Sequence, residues 1–400
     1  MSAGYPTPEP GPCVDCAMPR LVGRLWVTLA LCHVLFFALW AGGAVRDGVP
    51  HDDWWAFRLA AERAWSGQWD LVYPLDFSQV PRDRFLYPPY ALVLYLPTAF
   101  LPDTLAFLAI DAIQLLALGI ATTLLIRELR PPEDVRDALL ASLIGSAALT
   151  WELILGQNGG LFLLAYVLAV VAWRRRAPGW MGIGLGILGI KPHWTLAPAI
   201  CLGLSSRRAL LGFAAVGIAL VGVSLPLGIE RWHEFWVVST NQVDLVSTRL
   251  EGRHNLTIRG LVLALTGSAT AVSLAWGLLL IPSGLALWAV WRAAVDPVRK
   301  ISALVLFTLS MNLYTNVYDG LVMLLPAMDW LCGPDRLGER VVQIGVAAMM
   351  IAWLWDARTW LWPVALPQIL EPGPFSLVGL VALSMLLALG WAAHRASAVA

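Results

Sequence analysis

The chain has 400 residues, of which 58% are hydrophobic and 14% charged, with 27 basic side chains set against 27 acidic ones for a formal net charge of zero. A mean hydropathy of +0.69 over that length excludes a soluble domain, because so many apolar side chains leave too little polar surface for water. The balanced charge also excludes nucleic acid as a partner, since nothing basic enough to neutralise phosphates is present.

Residues 1–20 are polar and proline-containing, with no short apolar core or small-residue cleavage site, and read as a disordered cytoplasmic tail. Cys13 and Cys16 form one CxxC without a second pair or nearby histidines, which disfavours a metal site. The rest, 21–400, reads as a single integral membrane domain, with no internal repeat and no second soluble domain. Leu25 to Val45 is the first span: it carries no formal charge, and roughly 20 helical residues cross a hydrocarbon core. Further apolar runs follow near 104–126, 138–153, 159–173, 209–227, 268–291, 301–316, 318–332, 341–355 and 375–393. They are continuous and lack the period-two alternation of a barrel, so the fold class is an all-α polytopic membrane protein.

Arginine and lysine gather in short loops: Arg20 and Arg24, Arg127, Arg130 and Arg136, Arg174 to Arg176, Arg207 and Arg208, Arg292, Arg299 and Lys300, Arg336 and Arg340, and Arg395. The positive-inside rule places these in the cytosol, with both termini, in a bacterial-type plasma membrane. Two segments resist an up-and-down reading. Residues 87–102, bounded by Tyr87-Pro88-Pro89 and Leu101-Pro102, predict a re-entrant or partial helix, and 179–204 predicts a hairpin of two short helices with Lys191-Pro192-His193 at its tip. Irregular backbone at membrane depth is tolerated only where protein or water covers it, so both point to a lined cavity. On this topology Asp52 and Asp53, Tyr87, Gln157 and Asn158, Lys191 and His193, the 241–259 loop and Asn312 to Asp319 share the extracytoplasmic side.

The loop between the first two spans reads His51-Asp52-Asp53-Trp54-Trp55, and Trp54, Phe57, Ala61 and Trp65 recur at helical spacing, which suits an amphipathic interfacial helix. Buried alone, two adjacent carboxylates cost several kcal/mol, so they must be hydrated or paired. One reading makes them a helix cap at the positive dipole end, the other a general base for a lipid-borne substrate; the two coexist if one aspartate caps and its neighbour reacts. The pair could also hold a divalent cation, although no third ligand is visible. Lys191 in an apolar hairpin, followed by helix-breaking Pro192, suits phosphate contact better than snorkelling to the interface. Arg249, Arg253, His254 and Arg259 are either a second phosphate-binding group or a solvated loop. Asp319, after Tyr314 and Tyr318, binds a sugar hydroxyl, serves as a second carboxylate, or instead caps the helix that follows. Trp54 and Trp55 are candidates for stacking on a sugar face; most of the 21 tryptophans need no role beyond the membrane interfaces.

In order and spacing these elements resemble glycosyltransferase family 87, membrane transferases of the GT-C fold that use polyprenyl-phosphate sugars. The carrying pieces are Asp53 leading to Gly67 and Tyr73; Phe85-Leu86-Tyr87-Pro88-Pro89 with Leu96-Pro97 and Leu101-Pro102; Gly156-Gln157-Asn158; Gly182 to Gly186 running into Ile190-Lys191-Pro192; Asn255-Leu256-Thr257; and Tyr318-Asp319-Gly320 with Pro326. The resemblance implies a GT-C-like bundle of about 11–13 transmembrane or re-entrant helices. It further implies an inverting hexosyl or pentosyl transfer, from a polyprenyl-phosphate sugar to a glycolipid or glycan acceptor, at the extracytoplasmic face. Counted back from Gly67, the family's first-loop aspartate maps on Asp53, with Asp52 beside it, and would take the acceptor's proton. Lys191, with Arg253 or Arg259, would stabilise the departing phosphate, and Tyr87, Gln157, Asn158, His193, His254, Asn255, Tyr318 and Asp319 would line the substrates. The alternative of a different class is a transporter or flippase of lipid-linked sugars, which predicts repeat symmetry between halves that the chain lacks. A non-catalytic scaffold would have no need of Asp53.

Overall fold

The computed structural model describes residues 53–74, 85–144, 146–249, 255–332 and 376–399, with isolated positions at 31, 35 and 38. The spans expected at 25–45 and 341–355, and the tail, lie outside the described residues. Among the described residues the fold is all-α, and its one β feature is an isolated bridge between Asn255 and Asn316. In chain order the helices are α1 (Asp53–Trp65), α2 (Pro89–Tyr95), α3 (Asp103–Leu129), α4 (Glu133–Ile144), α5 (Ala147–Leu155), α6 (Gly159–Arg174), α7 (Pro178–Gly186), α8 (Leu196–Ser205), α9 (Arg207–Ser224), α10 (Ile229–Arg249), α11 (Ile258–Thr266), α12 (Ala269–Arg292), α13 (Pro297–Met311), α14 (Leu324–Cys332) and α15 (Ser376–Val399). Four stretches, Asp103–Leu129, Val135–Leu155, Arg207–Leu227 and Ala269–Arg292, are long and apolar enough to cross a membrane, and shorter apolar helices fill in between them. The protein is a polytopic helical membrane protein.

The run at 138–153 is broken where the Ser146 hydroxyl accepts the Leu149 amide and starts a new helix. The run at 301–316 ends at Met311, because Asn312 leaves the helical region and Asn316 caps a 3-10 turn over Val317–Met323 that leads into α14. Residues 89–100 form α2 and a 3-10 extension, together too short to cross, as a partial helix requires.

The bundle has two chemically different ends. At one, the Arg174 guanidinium closing α6 donates to the Glu128 carbonyl at the end of α3 (2.6 Å) and to Asp296 Oδ2 at the start of α13 (3.0 Å), while Arg299 pairs with Asp329 of α14 at 3.4 Å. Arg174 in the last turn of α6 and Asp296 at the N-cap of α13 each interact favourably with their helix dipole. At the other end lie the start of α3, the α5–α6 turn, the break after α7 and the 3-10 turn before α14. Between the ends, the core is built around α6 and α13, with side chains from α3, α7, α12, α14 and α15 packed on them.

The 179–204 segment has the expected break at Lys191, which is extended between two 3-10 turns. Its legs do not pack as a closed pair. Instead α9 runs parallel to the first leg: Gly182 lies against the Ala209 carbonyl, Gly212 against the Gly179 carbonyl, and Gly186 and Gly189 against Val216 and Leu220. Glycines on both faces let these backbones touch, which a Cβ would prevent.

Helix α1 is present as expected, but most of its surface meets protein: Trp54, Ala56, Phe57, Arg58, Ala60, Ala61 and Ala64 are buried, and of the anticipated stripe Trp65 alone is exposed. The buried Arg58 fixes it, donating to the Leu101 carbonyl at 3.0 Å and pairing with Glu62 at 2.7 Å and Asp103 at 3.4 Å. This anchors α1 across the N-terminus of α3 and sets the position of Asp53.

Candidate active site

Asp53 opens α1 and is exposed. Its Oδ2 accepts from Gln157 Nε2 at 3.0 Å, and Gln157 Oε1 accepts from the Tyr87 hydroxyl at 3.1 Å. Gln157 is placed by a left-handed Gly156 (φ 59°) that ends α5 and turns the chain into α6. Only glycine suits this position, since a Cβ would lie 2.7 Å from the Cβ of Trp54, the residue after Asp53. Gly156→Val is expected to cost about 1 kcal/mol in backbone conformation and about 1–3 kcal/mol in overpacking, and to depress turnover by pushing α1 away. Thermal unfolding in detergent and initial rates check this.

Behind this pair lies the Lys191 ammonium, which donates to Asp319 Oδ1 at 2.8 Å; the lysine is 5% and the aspartate 1% exposed. The ammonium sits 4.6 Å from the Tyr318 ring centroid and 5.3 Å from that of Phe162. Asp319 Oδ2 accepts the Asn316 amide at 2.8 Å in a capping box, so the capping geometry is present and the same carboxylate also holds Lys191. The two groups are neighbours: Asp53 and Asp319 both act electrostatically on Tyr87 and on Tyr318. Loss of water around the Tyr87 phenol pushes its pKa well above the ordinary tyrosine value, with Tyr95, Asp319, Asp53 and Tyr314 adding to the effect, so it stays a neutral donor at physiological pH.

The remaining predicted residues are placed around this centre. Asn158 is buried and committed to a network, accepting from Tyr95 (3.1 Å) and Gln114 (3.4 Å) and donating to the Tyr95 oxygen (2.9 Å). His193 lies against the Tyr314 backbone, with Nε2 buried and lacking a hydrogen-bond partner. Asn255 accepts the Thr257 and Thr315 amides at 3.0 and 3.5 Å, and with the Leu256 amide on the Thr315 carbonyl at 2.8 Å it straps the loop before α11 to the segment that carries Asp319. Arg259 lies over the Trp276 ring at 5.7 Å, away from the residues it was expected to join. Asp52, Arg253 and His254 lie outside the described residues. Trp54 is 0% exposed and edge-on to Phe107, so it has no face for a sugar; Trp55 is half-buried beside it. Among the described residues, no three His, Cys, Asp or Glu side chains converge as metal ligands.

Sequence reasoning passed over Asp111 of α3 and Glu152 of α5. Both are buried; Glu152 Oε1 accepts the Gly160 amide at 3.2 Å, whereas both Asp111 oxygens and Glu152 Oε2 lack a hydrogen-bond partner. The signal was available, because an ionisable residue within an apolar span marks a polar interior. Glu152 is also within electrostatic reach of Lys191 and Asp319, so the polar centre extends below the surface cluster.

The fold and the site together define an all-α membrane protein with a carboxylate-rich polar centre at the end opposite the Arg174 and Arg299 pairs. Residues 85–315, more than half of the chain, match glycosyltransferase family 87, and the chain belongs to that family. Comparison with curated proteins and with solved structures gave no match. The protein is thus a membrane glycosyltransferase, acting on a sugar donor and an acceptor.

Proposed function

We propose that this glycosyltransferase moves one sugar from a polyprenyl-phosphate donor to a lipid or glycan acceptor at the extracytoplasmic face, with inversion and with Asp53 as general base. The observation that carries the reading is that the exposed Asp53 carboxylate and the buried Lys191–Asp319 pair meet at the same residue, Tyr318, on which both aspartates act and over whose ring the Lys191 ammonium lies at 4.6 Å. A donor whose reactive end emerges from lipid reaches such a place directly.

Asp53 takes the proton of the acceptor hydroxyl as its oxygen bonds to the anomeric carbon from the face opposite the phosphate. The bond from that carbon to the phosphate oxygen breaks, and the electron pair leaves with the polyprenyl phosphate. Charge then builds on the phosphate, and preorganised donors aimed at developing charge are usually the largest catalytic contribution. Lys191 has three N–H donors, one of them engaged by Asp319, which leaves two to aim at the leaving oxygen. The outer face is supported by the pairing of Arg174 and Arg299 at the opposite end, beside the loops rich in arginine. The domain is read as one membrane unit over 21–400.

The test is a donor panel. Purified protein in detergent or nanodiscs should transfer sugar from polyprenyl-phosphate donors and not from nucleotide sugars, and NMR of the product should show the anomeric configuration opposite to the donor's. Turnover with nucleotide sugars alone, or retention of configuration, overturns the reading.

A further inference from the structure

Gln157 and Tyr87 entered as residues that touch substrate, yet their polar atoms are occupied inside the protein. The Tyr87 hydroxyl donates to Gln157 Oε1 at 3.1 Å, and Gln157 Nε2 donates to Asp53 Oδ2 at 3.0 Å. The amide can be fitted in one sense only: an ionised carboxylate accepts and never donates, so the nitrogen must face Asp53 and the oxygen must face the phenol. Gln157 is 2% exposed, which leaves its amide little room to turn toward a ligand. The Tyr87 ring is held independently of its hydroxyl, edge-on to Phe57 at 5.0 Å and tilted against Phe85 at 5.9 Å.

We propose that Gln157, locked by Tyr87, is a positioning residue that fixes the Asp53 carboxylate for proton abstraction and favours its ionised form. This rests on the reading of Asp53 as the base. Two consequences follow from the chain of donors. Binding Oδ2 pins the carboxylate's rotation and so fixes the direction from which the incoming hydroxyl meets it, and orientation of this kind accounts for large rate effects when lost. A donor to the charged form also keeps the base ionised at lower pH. Among the described residues this centre also feels Asp319, which opposes a second negative charge, Lys191, which compensates Asp319, and Tyr318.

The experiment is the pH dependence of kcat/KM in full-length protein for wild type, Gln157→Ala, Gln157→Glu and Tyr87→Phe. Removing the donor raises the proton affinity of Asp53, so the acid limb should move to higher pH, by about one unit in Gln157→Ala and further in Gln157→Glu, where a second carboxylate adds repulsion. Tyr87→Phe, which keeps the ring packing, should move it in the same direction by less. At neutral pH kcat should fall by about 10–100-fold in Gln157→Ala, with KM for the donor changed by less than about threefold. A loss equal at every pH, with the acid limb unmoved, overturns the positioning role. A KM rise with unchanged kcat returns Gln157 to substrate contact. Should Gln157→Ala fail to fold, Tyr87→Phe decides alone. Activity retained in Asp53→Asn removes the base and this inference together, whereas an inactive Asp53→Asn beside an unmoved limb in the Gln157 and Tyr87 variants removes only this inference.

Discussion

Asp53→Asn is expected to leave a folded protein that binds its donor normally and transfers sugar about 10²–10⁴-fold more slowly, the range a positioned general base contributes. Asparagine has the same shape, and its carbonyl oxygen still accepts from Gln157 Nε2, now 3.0 Å from the carboxylate. Arg58, which anchors α1 to the Leu101 carbonyl, is untouched. The substitution therefore removes proton acceptance together with the negative charge at the start of α1, while keeping the side chain's shape. Initial rates beside thermal unfolding check it: the unfolding temperature should stay near wild type while kcat collapses. Turnover within about threefold of wild type would exclude residue 53 as the base and direct attention to Asp52.

The largest stability effect is expected at Lys191. Lys191→Ala leaves Asp319, 1% exposed, as an unpaired buried charge, and breaking such a pair from one side costs about 3–5 kcal/mol. The damage spreads, because Asp319 also caps the 3-10 turn over Val317–Met323, and the adjoining Asn316 bridges to Asn255. The double change Lys191→Met with Asp319→Asn removes both charges while keeping an oxygen to accept the Asn316 amide, and should restore most of the lost stability. It should not restore transfer, since no ammonium remains to meet the leaving phosphate. A double variant both stable and fully active would make the pair purely structural. Unfolding temperature and initial rate, measured on the two variants together, separate these outcomes.

Much of this site was legible in the chain. Asp53, Lys191, Gln157 and Asp319 stand out because polar and charged groups in a lipid-solvated chain need a reason to be there. What was not legible is which partner each group takes. Lys191 and Asp319 are 128 positions apart and Asp53 and Gln157 are 104 apart, and nothing in local spacing pairs residues at such separations. For that reason a lysine read as a phosphate contact is found already bound to a carboxylate, and an amide read as lining the substrates is found bound to Asp53. Asp111 and Glu152 were passed over for a different reason: inside runs of apolar residues they barely disturb the hydropathy that defines a span, and only their burial in the folded bundle gives them weight.

Sequence alone determined the solvent, the helical class and the glycosyltransferase family, because hydropathy, the need to satisfy backbone groups in lipid and the order of short motifs are all properties of the linear chain. Tertiary structure alone decided that α1 packs onto the protein through Arg58, that α9 rather than α8 flanks the first leg of the broken segment, and that Tyr87, Gln157 and Asp53 form one line of hydrogen bonds. These depend on which surfaces meet once the helices are assembled, and a hydrogen bond about 3 Å long is set by that assembly and not by the residues' neighbours in sequence.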